Sequence, residues 1–157
     1  MKGVSDSEFA PNATMTRAQL VTILWRMNGE KVVNYAMTFK DVSSDSWYTE
    51  AVRWAASEGI VEGYSAEKFG PNDAVTREQM ATILWRYAKY KGMDVSVGED
   101  TNIMDYDDVK EISSYAVSAM QWAVGEGIIK GTDNVTLEPK GTATRAQVAV
   151  MVERFVG

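Results

Sequence analysis

Three stretches of the chain share one hydrophobic rhythm. Leu20, Ile23, Leu24 and Met27 fall at i, i+3, i+4 and i+7, and so do Met80, Ile83, Leu84 and Tyr87. Val148, Met151, Val152 and Phe155 repeat the pattern a third time. This spacing returns side chains to one face of a 3.6-residue helix and predicts three amphipathic helices of about a dozen residues. Helices that short are marginal alone, so three similar stripes predict one shared core. A second pattern, Ala51-Trp54-Ala55 and Ala119-Trp122-Ala123, predicts two more helices, from about Trp47 to Glu58 and from Tyr115 to Glu126, with both tryptophans in the core. Gly59 and Gly127 stand where a left-handed cap would close each of them.

The helices belong to a repeat. Gly3, Gly63 and Gly131 open three copies of one frame, followed by Phe9, Phe69 and Leu137, then Pro11, Pro71 and Pro139, then Thr16, Thr76 and Thr144. Agreement at four positions with the same two spacings is hard to obtain by chance, and repetition decides the fold reading. The upstream half of the frame occurs twice: Phe39-Lys40-Asp41-Val42 matches Tyr106-Asp107-Asp108-Val109, and Trp47 to Ile60 matches Tyr115 to Ile128. The expected architecture is all-α, built of helix–loop–helix units covering residues 1–30 (second half only), 39–91 and 104–157. The stretch from about Ala88 to Met104, with Gly92 and Gly98, reads as a flexible connector.

Composition narrows the chemistry. The 157 residues carry a net charge of −6, which disfavours a nucleic-acid partner and leaves any anionic ligand to a few placed cations. Cysteine and histidine are both absent, which removes disulfides, thiol nucleophiles and the usual general base. No run approaches the roughly 20 apolar residues that cross a bilayer, and the N-terminus lacks a signal-peptide hydrophobic region. No cofactor is expected. The acidic run Asp105 to Asp108 lacks the alternating ligands, central glycine and closing glutamate of a calcium loop, so no metal is expected either.

The candidate chemistry lies in a motif found three times. Thr16-Arg17-Ala18-Gln19, Thr76-Arg77-Glu78-Gln79 and Thr144-Arg145-Ala146-Gln147 each fit a capping box, in which threonine and glutamine close a helix start reciprocally. Capping leaves the arginine unexplained, because a cation at the first helical position opposes the helix dipole. Two readings stay open: a guanidinium that grips a carboxylate or phosphate beside free NH groups, or one paired with an acidic residue of the adjacent unit. Asp41 and Asp108 read as turn caps or as acceptors of sugar hydroxyls. Trp47 and Tyr115 read as core residues or as platforms for a sugar ring. Trp25 and Trp85 match Glu153 in the third copy, so their position is expected to be partly exposed.

The order Phe-x-Asp-Val, Trp, Ala-Val, Gly-Ile-x-x-Gly, Phe-x-Pro and Thr-Arg-x-Gln resembles the S-layer homology family, most completely from Phe39 to Tyr87. That resemblance implies three units in pseudo-threefold arrangement around a central helical bundle. It further implies a non-catalytic anchoring module at the cell wall or S-layer, outside the cell. Its partner would be an acidic secondary cell-wall polysaccharide, often bearing pyruvate ketals, held in grooves between units. The family's basic residue falls on Arg17, Arg77 and Arg145, and the implied ligand set adds Gln19, Gln79, Gln147, Asp41, Asp108, Trp47, Tyr115, Gly63 and Gly131. Glutamine replaces the family's commoner glutamate in all three motifs, which keeps the cap and removes a negative charge near the anion. The front half of the first unit, about 22 residues by comparison with Asp41 to Gly63, has no counterpart before Gly3. Missing N-terminal residues or a helix from another chain would complete it. The alternative function is a protein-interaction or self-assembly module on the same scaffold, using Trp25 and Trp85. A glycan-processing enzyme is the weakest reading, since no acid pair recurs in the frame.

Overall fold

The computed structural model describes residues 13–129 and 136–156. Within them lie five α-helices: α1 (Arg17–Met27), α2 (Thr49–Ser57), α3 (Arg77–Tyr90), α4 (Val117–Gly125) and α5 (Arg145–Val156). Short 3-10 turns cover Ser96–Asp100, Val109–Glu111 and Ser114–Ala116. Strands are absent among the described residues; only isolated bridges occur, Thr14 with Thr144, Thr16 with Ala74 and Thr76 with Thr142. The all-α expectation holds. The chain forms two compact units, residues 16–74 and a second that joins 13–15 to 75–156.

Helix starts and stops follow the sequence signals. At α1 the Thr16 hydroxyl accepts from the Gln19 NH at 3.1 Å while the Gln19 amide oxygen accepts from the Thr16 NH at 2.8 Å. The same reciprocal pair closes α3 through Thr76 and Gln79, and α5 through Thr144 and Gln147. At the other end, Gly59 (φ 72°) and Gly127 (φ 75°) take the left-handed conformation one residue past the C-caps of α2 and α4. There Gly59 NH reaches Ala56 O and Ile60 NH reaches Ala55 O, a double bond pattern that uses the last free carbonyls.

Residues 16–74 hold α1 against α2. Leu20, Val21, Leu24, Val52, Trp54, Ile60 and Phe69 are fully buried there. Burying a side chain of this size contributes about 1.5–3 kcal/mol. Ala51 and Ala55, also buried, give α2 a small-residue face. α2 begins at Thr49 rather than Trp47, because the Thr49 hydroxyl donates to Ser43 O and accepts from Ser46 NH, fixing a turn just upstream. The stripe of α1 is less complete than its periodicity predicts: Ile23 is half-buried and Met27 is 39% exposed. α1 stops at Met27, where Gly29 (φ 82°) turns the chain away, so its last turn has no further helix to lie on in this unit.

In the second unit α3 packs on α4 and on the 3-10 turn at Ser114. Met80, Leu84, Met120, Trp122, Ile128, Leu137 and Val148 form its buried interior. Met15, Val75 and Ala143, the residues just ahead of the three motifs, close a ring: Val75 NH donates to Met15 O, Met15 NH to Ala143 O and Ala143 NH to Val75 O. All three side chains are fully buried.

The connector corrects its sequence reading. Its first residues still belong to α3, which runs to Tyr90, and Ser96–Asp100 form a 3-10 turn that rests on α4 where a flexible loop is expected. A Cβ on Gly98 would lie 2.9 Å from the Trp122 backbone nitrogen, so glycine here permits close approach. The Thr101 hydroxyl donates to Val97 O at 2.7 Å, and the Gln121 side chain donates to Thr101 O.

Candidate functional site

Each motif places its arginine at the first position of a helix, and the structure shows what holds it there. Arg17, Arg77 and Arg145 are buried, at 5%, 4% and 4% exposure. Arg17 Nε donates to Phe69 O at 3.0 Å and one terminal nitrogen donates to Glu62 O at 3.0 Å. The guanidinium also stands over the Tyr64 and Phe69 rings, 4.8 and 4.9 Å from their centroids. Arg77 Nε donates to Leu137 O at 2.8 Å, the matching carbonyl of the next copy. Burial lowers the Arg77 guanidinium below its ordinary range, and the negative charges of Glu138 and Asp108 oppose that shift.

The aspartates complete the arrangement from the other side. Asp41 accepts from Phe69 NH at 2.9 Å and from Gly70 NH at 2.8 Å. Asp108 accepts from Leu137 NH at 2.8 Å and from Glu138 NH at 2.7 Å. Phe69 and Leu137 therefore have their carbonyl held by an arginine and their NH held by an aspartate. Burial alone would raise the Asp41 carboxyl, but these two amides, aided by Lys68, keep it below its ordinary value. The aspartates hold these amides across 28 to 30 residues, and Asp108 makes no side-chain bond to cap the 3-10 turn that follows it.

This arrangement explains why arginine tolerates the helix dipole. Arg17 and Arg77 reach carbonyls of the following repeat, a third possibility beside an external anion and an acidic side chain. Nor are the first helical NH groups free, as an anion receptor would need. Arg17 NH donates to Asp73 O and Ala18 NH to Pro71 O; Arg77 NH donates to Gly141 O and Glu78 NH to Pro139 O; Arg145 NH donates to Ala13 O. Gln19, Gln79 and Gln147 spend their amide oxygens on capping.

Other candidates separate cleanly. Trp47 and Tyr115 are surface residues, 60% and 50% exposed, which favours the platform reading over the core reading. Gly63 is fixed by packing, since a Cβ there would sit 2.5 Å from both Lys68 O and the Phe39 ring. Gly131 lies outside the described residues, as do Gly3, Phe9 and Pro11 and the expectation about the front half of the first unit. Trp54 and Trp122 are core, at 0% and 2% exposure. Trp25 and Trp85 are half-buried and engaged, the first donating its indole NH to Lys31 O, the second lying under the Lys89 ammonium at 4.2 Å.

One group escaped the sequence reading. Glu78 fills the variable place of the second motif, where the other copies have Ala18 and Ala146. It is 3% exposed, and its carboxylate accepts from Ser113 NH at 2.9 Å, the Ser113 hydroxyl at 2.6 Å, the Tyr115 hydroxyl at 3.2 Å and the Lys140 ammonium at 3.0 Å. Burial would raise this carboxyl; the Ser113 and Lys140 contacts outweigh it and hold it below its ordinary value. The lone departure from alanine among three copies was the available signal. Tyr64, 49% exposed with its hydroxyl on Asp73, was also missed, and no repeat position announced it.

Among the described residues no helix is long and apolar enough to cross a membrane. The S-layer homology domain family matches residues 1–21, 38–81 and 105–149. The chain is 34% identical over 152 residues to an amylopullulanase of Thermoanaerobacterium thermosulfurigenes, covering 97% of this chain and 8% of that protein. It is 31% identical over 162 residues to the surface-layer 125 kDa protein of Lysinibacillus sphaericus, covering 99% and 13%. It is 25% identical over 159 residues to a cellulosome-anchoring protein of Acetivibrio thermocellus, covering 98% and 34%. The chain thus spans well under two thirds of the length of each of these relatives.

Proposed function

Since the chain belongs to the S-layer homology domain family, we propose that it is a non-catalytic module that fastens a cell-surface protein to the cell wall by binding an acidic wall polysaccharide. Relatives named for a surface layer and for cellulosome anchoring support the anchoring role, and enzymes among them carry the matching stretch as a small attached part. The module works outside the cell, at the wall. The polymer's sugar rings lie on Trp47 and Tyr115, and its acidic groups, pyruvate ketals in the simplest case, meet the cations at the junctions between successive repeats. Two exposed aromatic rings at the same place in two repeats carry this reading: ring faces left open to solvent fit a stacked sugar.

The arginines enter as positioning residues. By fixing the peptides of Phe69 and Leu137 they shape the loop beside each helix start, and their buried charge lends a positive field to it. Sedimentation of the chain with purified walls, before and after mild acid removal of ketals, tests the proposal. Binding is expected to fall at least tenfold after treatment. Equal binding before and after would refute the acidic ketal as ligand, and no binding to untreated walls would refute anchoring itself.

A further inference from the structure

The donor set around Glu78 has the chemistry of a carboxylate receptor. A backbone NH, two hydroxyls and an ammonium converge on one carboxylate from three residues of the following repeat. Glu78 is almost wholly enclosed, yet its donors are reachable: Tyr115 is half exposed and the Lys140 side chain is 57% exposed. Nothing about the helix demands the acid there. Its backbone NH is already donated to Pro139 O, and alanine occupies the same place in both sister motifs.

We propose that Glu78 is a built-in occupant of a carboxylate receptor formed by Ser113, Tyr115 and Lys140, which an acidic sugar must displace in order to bind there. The inference rests on the wall-polymer reading for its ligand but not for its geometry. At the corresponding place beside α1 the chain has Ala18, with Asp45, Trp47 and Asn72 in place of Ser113, Tyr115 and Lys140. That junction has neither the internal acid nor the lysine. Of these two junctions only that of the Arg77 repeat carries the receptor, and Glu78 sets how tightly that repeat holds an acidic glycan.

Glu78→Ala removes one methylene and the carboxylate, the outline of an acetate ion. In the full chain, acetate is expected to raise the melting temperature of Glu78→Ala by about 3 °C or more over equal chloride, by mass action on the folded state, and to leave the wild type unmoved. Adding Lys140→Ala to that variant is expected to abolish the rescue. Affinity for purified wall polymer is expected to rise at least tenfold in Glu78→Ala. A folded Glu78→Ala that ignores acetate would overturn the receptor, and acetate rescue without tighter wall binding would overturn the displacement. If Glu78→Ala folds poorly, refolding in acetate but not in chloride reads the same question, and failure in both overturns the proposal. Wild-type protein that binds no wall would sink the function proposed above while the acetate arm still decides the receptor.

Discussion

The Arg17–Asp41 junction and the Arg77–Asp108 junction use the same peptide clamp in different surroundings. In the first, the guanidinium stands over the Tyr64 and Phe69 rings, and Asp41 is open to solvent. In the second, Leu137 replaces the phenylalanine, Asp108 is buried, and an extra carboxylate is enclosed beside the arginine. What persists is the pair of charged side chains on one peptide unit, which marks it as the structural minimum of the repeat. What varies is the chemistry around it, where differences in ligand handling can accumulate without loss of fold.

The largest effect is expected from breaking the clamp at its cation. Arg77→Ala leaves Leu137 O without its partner and Asp108 beside an uncompensated site, and is expected to cost about 3 kcal/mol of stability. Arg17→Ala is expected to cost about 2 kcal/mol, because Asp41 can turn to water. Urea unfolding of both variants measures the difference. Midpoints equal to wild type would show that neither guanidinium holds its peptide, and wall-binding losses in these variants are interpretable only after that correction.

Breaking the clamp at its anion should separate the junctions in the same order. Asp108→Ala strands two amides in a buried setting and is expected to cost about 2 kcal/mol, whereas Asp41→Ala is expected to cost about 1 kcal/mol. A larger loss for Asp41 would mean that solvent exposure is a poor guide to which clamp is tighter.

The helices and their caps were legible in the sequence because they depend on local spacing: three residues from threonine to glutamine, one glycine past each short helix. The clamp was not. Arg17 and Phe69 are 52 residues apart, and Asp41 meets Phe69 from 28 residues away, so only the folded chain shows that arginine and aspartate share one peptide. The dipole mismatch rightly flagged the arginines as needing another partner, but backbone carbonyls leave no compositional trace. Gly98 failed for the opposite reason: a close approach and a flexible turn call for the same residue.

The acid limb of stability sharpens the contrast further. Glu78 lies below its ordinary value of 4.5 in the folded protein. Its contribution is therefore fully present above the unfolded value and is lost as pH falls through the folded one. The wild type is expected to lose stability steadily below about pH 4.5, and Glu78→Gln is expected to flatten part of that decline, the part due to the Arg77 junction. Asp41 shifts the same way but is exposed, so Asp41→Asn should flatten it less. Parallel acid limbs for wild type and Glu78→Gln, followed by fluorescence-detected melting from pH 3 to pH 7, would show that the carboxylate is not held as the geometry says.

The smallest effect on stability is expected where the comparison bears most on function. Trp47 is 60% exposed and meets Tyr48 edge to face at a centroid distance of 5.0 Å. Trp47→Ala is expected to cost no more than about 1 kcal/mol, the worth of one such aromatic contact. Its effect on wall binding should be larger, at least fivefold, if the ring is a platform for sugar. Tyr115→Phe asks the complementary question, since it keeps the ring and removes only the hydroxyl that donates to Glu78. It should leave sugar stacking intact and take one donor from Glu78 and from a displacing sugar carboxylate alike, so wall affinity should change less than twofold. A fall in affinity for Tyr115→Phe matching that of Trp47→Ala would mean that the hydroxyl holds the polymer more tightly than it holds Glu78, and the two junctions would then differ in how they read the glycan and not only in whether a carboxylate already occupies them.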